Sequence, residues 1–170
     1  MKVKIKKINK SVPTPFKAHP SDFCYDCVAI SEEEIAPNVW KYGLGLAFQI
    51  ERGMETTVTS TCYHGGKMKL HHTNFDFSNS PITLSIDARP RSSVWKTGMV
   101  LSNCEGTIDE NFTGNVSAVF YHLMPNMPRY KVGDKVCQIK LGFTLPMEFV
   151  EVDSLEETDR GANGYGSSGR

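Results

Sequence analysis

Short runs rich in β-branched and aromatic residues follow one another along this chain, and turn-forming residues separate them. This spacing is typical of the strands of an all-β fold. Eight such runs are found, at residues 3–8, 27–30, 44–50, 82–86, 99–101, 116–123, 136–141 and 149–152. Residues 92–96 suit a short helix, with Ser92 and Ser93 as candidate caps after Pro90-Arg91. The pattern predicts an all-β barrel or sandwich, and 170 residues suit one domain.

Residues 55–80 interrupt this pattern with a polar stretch. The stretch contains Tyr63-His64-Gly65-Gly66-Lys67, a turn sequence between two alternating segments. It therefore predicts a solvated hairpin that leaves the core of the domain, because loops tolerate insertions at small cost.

Charge and cysteine content exclude several function classes. Lys plus Arg and Asp plus Glu number 19 each, so no net field attracts nucleic acid or a membrane surface, and an anionic ligand must be met by local donors. Lysines alternate with apolar residues from Lys2 to Ile8, which predicts a strand rather than a signal peptide.

Five cysteines at unrelated spacings indicate reduced thiols and a cytoplasmic protein. Cys24 and Cys27 form one CxxC without a second ligand pair, so structural thiols are expected rather than zinc.

Residues 160–169 combine four glycines, Arg160, two hydroxyls and the ring of Tyr165. Glycines let backbone N–H groups surround anionic oxygens, and an aromatic ring offers a stacking surface to a base. The same composition also fits a solvated Gly/Ser tail, so the tail alone leaves both interpretations open.

Three upstream segments carry matching chemistry. Residues 90–93, Pro-Arg-Ser-Ser, supply a guanidinium and two hydroxyls on a rigid turn, which suits phosphate oxygens. Residues 106–114 form a hairpin bounded by glycines, in which Asp109 lies near an aromatic residue. Residues 133–138, Gly-Asp-Lys-Val-Cys-Gln, are a turn that enters a strand. Each of them, taken alone, also fits an ordinary turn.

In this order, the segments resemble the five motifs of the trimeric deoxyuridine triphosphatase (dUTPase) family. Motif one resembles residues 25–29, motif two residues 90–93, motif three residues 106–114, motif four residues 133–138, and motif five the glycine-rich tail. The resemblance implies a distorted jelly-roll β-barrel over residues 1–159, one short helix, and a mobile C-terminal arm over residues 160–170. It also implies a homotrimer whose sites are shared between subunits; the balanced charge already argues against nucleic acid or a membrane as a partner.

The activity that the resemblance implies is hydrolysis of dUTP to dUMP and pyrophosphate by in-line attack of water on the α-phosphorus. Asp109 would orient and deprotonate the water, because a fixed carboxylate accepts a proton and aims at one water. Ser92 would bond near the breaking bond and Gln138 near the α-phosphate. Mg²⁺ would be chelated mainly by the substrate and water, with Asp26 touching its hydration shell.

The resemblance further implies a set of substrate-binding residues. Those around the phosphates would be Arg91, Ser92, Ser93, Gln138, Arg160, Gly166, Ser167 and Ser168. Those around the nucleoside would be Asn103, Thr107, Ile108, Asp109, Phe112 and Tyr165, with Tyr165 closing over the base. The chain departs from the family at Phe23-Cys24, where Ala-Gly is usual, and at Phe112, where the family has a tyrosine beneath the deoxyribose.

Two alternatives compete with this interpretation. A dCTP deaminase-like enzyme shares the Arg-Ser-Ser turn and the Ile-Asp hairpin, but needs a glutamate ten residues beyond the hairpin aspartate. That position is Val119, so the sequence argues against deamination. A non-catalytic jelly-roll interaction protein would need no combination of Asp109, Arg91 and Gln138.

Overall fold

The computed structural model describes residues 2–53, 56–64, 67–75 and 81–162, the second and third of these ranges by backbone alone. Twelve strands lie in these ranges: β1 Lys2–Lys7, β2 Tyr25–Val28, β3 Ser31–Ala36, β4 Val39–Gly43, β5 Leu46–Glu51, β6 Thr56–His64, β7 Lys67–Phe75, β8 Thr83–Arg89, β9 Met99–Leu101, β10 Gly106–Asp109, β11 Ser117–His122 and β12 Lys135–Thr144. One 3₁₀ helix covers Ser92–Thr97. The predicted all-β class, with one short helix, is confirmed.

The strands form two four-stranded sheets and two two-stranded ones. One large sheet, here the β8 sheet, has the order β10-β8-β12-β2, and the other, here the β4 sheet, has the order β3-β4-β11-β9. β1 pairs with β5, and β6 pairs with β7 in an antiparallel hairpin within the polar stretch. Leu84, Ile86 and Ala88 are buried on one side of β8 and belong to the hydrophobic core.

The opposite face of the β8 sheet is polar, because side chains alternate along each strand. Cross-strand register places Asp26, Gln138 and Arg89 in one row of this face. Asp109, Ser85 and Gly142 occupy another row, four residues further along β12. The β8 sheet therefore separates the apolar core from a polar surface that carries several motif residues.

Two cysteines belong to the core beneath that surface. Cys27 on β2 and Cys137 on β12 are register partners, and both are buried. A hydrogen bond to Cys137 and burial raise the pKa of the Cys27 thiol, so this thiol stays protonated. Both are structural thiols, as expected, whereas Cys104 is exposed in a turn with φ 56°.

The structure corrects three local predictions. Residues 149–152 form no strand, and Phe149 is 90% exposed. Strands β3 and β4, which were not predicted, pair with each other at residues 31–43. Ser92 and Ser93 do not cap the 3₁₀ helix, because its N-cap is Arg91, without a side-chain capping bond. Among the described residues, no helix has the length and apolar character needed to cross a membrane.

Candidate active site

A cluster of hydrogen-bond donors lies where β8 ends, and Asp26 organises it. The Asp26 carboxylate is only 8% exposed and accepts from Arg91 Nε at 2.8 Å and from Arg91 Nη2 at 3.3 Å. Lys135 Nζ lies 3.1 Å from the second carboxylate oxygen. The two hydrogen bonds from Arg91 to this carboxylate fix the direction of its guanidinium. Because two cations face one carboxylate, the cluster has a net positive charge.

Gln138 and the serines of motif two lie beside this ion pair. Gln138, which is opposite Asp26 in the sheet, donates from Nε2 to the Pro90 carbonyl oxygen at 3.0 Å. The Arg91 guanidinium donates to Ser93 Oγ at 3.5 Å, and Ser92 is exposed at the start of the 3₁₀ helix. Motifs one, two and four thus converge on one donor cluster, which suits phosphate oxygens.

Asp109 lies at the other end of the polar face. It is the last residue of β10, opposite Ser85, and its side chain is exposed. Four residues of strand separate its row from that of Gln138, which is about 13 Å along the sheet. Within one chain, the aspartate and the donor cluster are therefore apart.

A groove opens next to Asp109. Its volume is about 220 Å³, and its lining residues are Thr107, Ile108, Asp109, Phe112, Asn115, Val116 and Ser117. The Phe112 ring lies against Gly114, where an added Cβ would be 2.7 Å from Cζ. Asn103 lies beside the start of β10, with Nδ2 3.3 Å from where a Cβ at Gly106 would be. This end combines a carboxylate, an aromatic face and polar backbone, which suits a nucleoside.

Only the first residues of motif five, 160–162, belong to the part of the chain that the structure describes. Arg160 is exposed and lies within a turn in which Gly161 N donates to Thr158 O at 3.0 Å. The predicted ligands Tyr165, Gly166, Ser167 and Ser168 lie outside the described residues.

Sequence reasoning gave no role to two residues that contact the motifs directly. Lys135 belongs to the quoted motif four, and only the structure shows that it pairs with Asp26. Arg52 donates from Nε to Glu110 Oε1 at 2.5 Å and from Nη2 to Glu110 Oε2 at 2.6 Å. Hydrogen bonding to Arg52 lowers the pKa of Glu110, so this carboxyl stays ionised. Glu110 stood next to Asp109 in motif three, but no local signal pointed to Arg52.

A second buried ion pair lies between the two ends of the polar face. Asp87 is 8% exposed and accepts from Lys140 Nζ at 2.5 Å and from Ser85 Oγ at 2.8 Å. Burial opposes ionisation of Asp87, but the bonds from Lys140 and Ser85 outweigh it and lower the pKa. A Cβ at Gly142 would meet Asp87 Oδ2 at 2.3 Å, so only glycine fits beside the carboxylate.

Comparison with known proteins identifies the family. The family model for dUTPase matches residues 70–169. The chain is 28% identical to the deoxyuridine 5'-triphosphate nucleotidohydrolase of Nautilia profundicola over 172 residues, covering all of both chains. It is 29% identical to the enzyme of the same name from Clostridium novyi over 170 residues, covering 99% of each.

Solved structures show the same fold. A mutant dUTPase of Staphylococcus bacteriophage 80alpha with dUpNHpp superposes with a TM-score of 0.68 at 17% identity, covering 99% of each chain. A mutant dUTPase from phage phi11 of S. aureus, described with a structural Mg(II) ion, gives a TM-score of 0.59 at 14% identity, covering 92% of this chain and all of that one. The chain belongs to the dUTPase family, and its fold is of the jelly-roll type that these enzymes share.

Proposed function

We propose that this protein hydrolyses dUTP to dUMP and pyrophosphate, which keeps uracil out of DNA and supplies dUMP for thymidylate synthesis. The observation that carries the proposal is the arrangement of motifs one to four at one polar sheet face, with a phosphate-type donor cluster at one end and an exposed aspartate beside a groove at the other.

Asp109 is the general base in this proposal. Its backbone is held by pairing with Ser85 and by the turn in which Phe112 N donates to Asp109 O at 3.0 Å. A carboxylate on a fixed backbone can orient one water and take its proton as the water attacks the α-phosphorus. The bond to the leaving pyrophosphate then breaks in line with the attack.

The donor cluster stabilises the charge that develops on the leaving pyrophosphate. Arg91, already directed by Asp26, binds terminal oxygens together with Arg160, Ser92 bonds near the breaking bond, and Gln138 bonds the α-phosphate region. Donors held in place before the reaction need no reorganisation during it, which makes them effective. The hydroxyls and glycines of the tail complete this set.

The groove beside Asp109 selects the nucleoside. Asn103 and the backbone of Thr107 and Ile108 read the edge of uracil, in a slot too tight for the methyl group of thymine. The ring of Phe112 packs beneath the deoxyribose and excludes a 2′-hydroxyl, and Tyr165 closes over the base. Wrong bases leave buried polar groups unpaired, which is a strong basis for rejection.

In this proposal, Mg²⁺ enters the site bound to the triphosphate of the substrate. Among the described residues, no group of three or more His, Cys, Asp or Glu side chains is arranged to hold a metal ion. Asp26 already accepts from two cations, so we assign it an indirect contact through water. Mg²⁺ bound to the triphosphate neutralises part of its charge.

We further propose a homotrimer with sites shared between subunits. The distance of about 13 Å between the rows of Asp109 and Gln138 supports a site in which the two ends come from different chains. Large apolar side chains with exposures of 62% to 90% lie at the end of β12 and in the segment after it, and they suit contacts between subunits; they are Phe143, Leu145, Met147 and Phe149. A cytoplasmic location agrees with the cysteine content and with a soluble nucleotide as substrate.

A nucleotide panel with pyrophosphate detection tests the activity. With Mg²⁺, we expect turnover of dUTP, little turnover of dTTP, dCTP or UTP, and no release of ammonia from dCTP. Deamination of dCTP would identify the competing enzyme class, and inertness toward all nucleotides would favour an interaction protein. Equal turnover of dCTP and dUTP would also contradict the assignment.

A further inference from the structure

We infer that Glu110, held by Arg52, is a positioning residue that fixes the direction of Asp109. The inference rests on the proposed function, because it assumes that Asp109 is the base. It concerns a carboxylate and a guanidinium that lie outside the donor cluster and the groove.

The pair has the geometry of a rigid clamp. Arg52 donates two hydrogen bonds to the two oxygens of Glu110, at 2.5 Å and 2.6 Å. The side chains are only 28% and 16% exposed, so solvent screens the pair less than it would a surface pair. Bidentate arginine–carboxylate contacts constrain orientation as well as distance.

The clamp joins three separate segments. Arg52 follows the last residue of β5, and its Nη2 also donates to the Ile82 carbonyl oxygen at 2.7 Å. Leu84 N, in β8, donates to Glu110 Oε2 at 3.3 Å. The end of β5, the start of β8 and the turn after β10 are thereby fixed to one another. Arg52 and Ile82 also flank the stretch that carries the β6–β7 hairpin, so the clamp closes the base of that excursion.

Asp109 needs such support because of where it lies. β10 ends at Asp109, so the ladder with β8 restrains it on its N-terminal side, and on its C-terminal side follows the turn in which Phe112 N donates to Asp109 O at 3.0 Å. The Asp109 side chain is exposed, so the position of its carboxylate depends on the backbone that carries it. Glu110 is the next residue and begins the turn after β10, and its carboxylate accepts from Arg52 and from Leu84 N. The clamp therefore fixes the chain at the residue directly after Asp109.

The test compares variants of the full-length protein by steady-state kinetics with dUTP. Glu110→Gln keeps the shape but weakens the clamp, and Arg52→Lys keeps the charge but loses the two-pronged contact. We expect each to lower kcat about tenfold with KM within about twofold, because a small misplacement of a reacting group costs up to about a hundredfold in rate. Glu51→Gln is the matched control, since Glu51 pairs with Lys4 at the exposed surface, and its kcat should stay unchanged.

A double-mutant cycle separates positioning from a general loss of stability. If Glu110 acts through Asp109, adding Glu110→Gln to Asp109→Asn should leave the residual rate unchanged. Thermal unfolding of every variant ensures that rates compare folded proteins, and Glu110→Asp replaces Glu110→Gln if the latter does not fold.

Unchanged kcat in both clamp variants, with a wild type that hydrolyses dUTP, would overturn the inference alone. A further loss of rate in the Asp109→Asn background would do the same, because Glu110 would then act independently. A wild type without dUTP hydrolysis would instead overturn the proposed function, and this inference with it.

Discussion

The two ends of the polar face of the β8 sheet differ in how completely one chain builds them. At the Arg91 end, a carboxylate that is 8% exposed holds two cations, and Gln138 is tied to the Pro90 carbonyl. At the Asp109 end, the carboxylate is exposed beside an open groove. A single chain therefore fixes the direction of the Arg91 guanidinium through Asp26, whereas it leaves the Asp109 carboxylate exposed at the surface.

The largest effect is expected at the Asp109 end. Asp109→Asn should keep nucleotide binding and lower turnover at least about a hundredfold, because the amide cannot take the proton of the attacking water. Binding of dUpNHpp by calorimetry and turnover by pyrophosphate release measure the two properties separately. Unchanged turnover would remove Asp109 from the mechanism and leave the Arg91 end as the only functional part.

A smaller loss is expected at the Arg91 end. Arg91→Lys gives up the two-pronged contact with Asp26, so kcat/KM for dUTP should fall about tenfold. Arg89→Lys is the control, since Arg89 pairs with Glu105 at an exposed position and should stay within about twofold. Equal losses in both variants would show that general positive charge, rather than a directed guanidinium, accounts for the effect.

The ring of Phe112 is expected to exclude ribonucleotides. It is 47% exposed in the single chain, so removing it should give a moderate effect. Phe112→Ala should lower the ratio of kcat/KM for dUTP over UTP about fivefold, less than a fully buried contact would. A wild-type ratio near one would mean that the ring does not discriminate the sugar.

Mixing inactive variants tests whether Asp109 and the C-terminal arm of one site come from different subunits. A chain that ends at Asp159 lacks the tail, and a full-length Asp109→Asn chain lacks the base, so each should be nearly inactive alone. After co-refolding in equal amounts, each requirement is met by chance at half of the sites, and about a quarter of wild-type activity should return. No recovery despite proven subunit mixing would mean that each chain closes its own site.

The smallest effect is expected at the excursion. Replacing residues 57–78 with a short turn leaves Arg52, Ile82 and Glu110 in place, so dUTP turnover should stay within about twofold. Light scattering would reveal a loss of assembly, which would make the hairpin a subunit contact.

The fold was predictable wherever local pattern and final environment agree. Residues 99–101 became β9, and residues 3–8 became β1 within a residue at each end, because their apolar spacing matches their burial or pairing. β3, Ser-Glu-Glu-Glu-Ile-Ala, was missed because it is held by pairing with β4 rather than by apolar side chains of its own. Residues 149–152 have the composition of a strand but no partner strand in the described chain.

The motifs of the candidate site could be found in the sequence, but the ion pairs that hold their residues could not. Residue types at motif spacing pointed to Asp109, Arg91 and Gln138, but ion pairs depend on which distant segments meet. Lys135 with Asp26 and Arg52 with Glu110 join residues far apart in sequence, so only the three-dimensional structure shows them.

The packing of Asp87 against Gly142 has a consequence for how this sequence can diverge. Any side chain at position 142 would overlap the carboxylate, and loss of Lys140 would leave that carboxylate buried without its cation. Single substitutions at positions 87, 140 and 142 should therefore be poorly tolerated, while concerted replacements can be neutral. In a library that randomises these three codons together and is selected for folded protein, the selected sequences should show strong pairwise epistasis among the three positions. Substitutions at these positions should therefore occur in combination rather than singly.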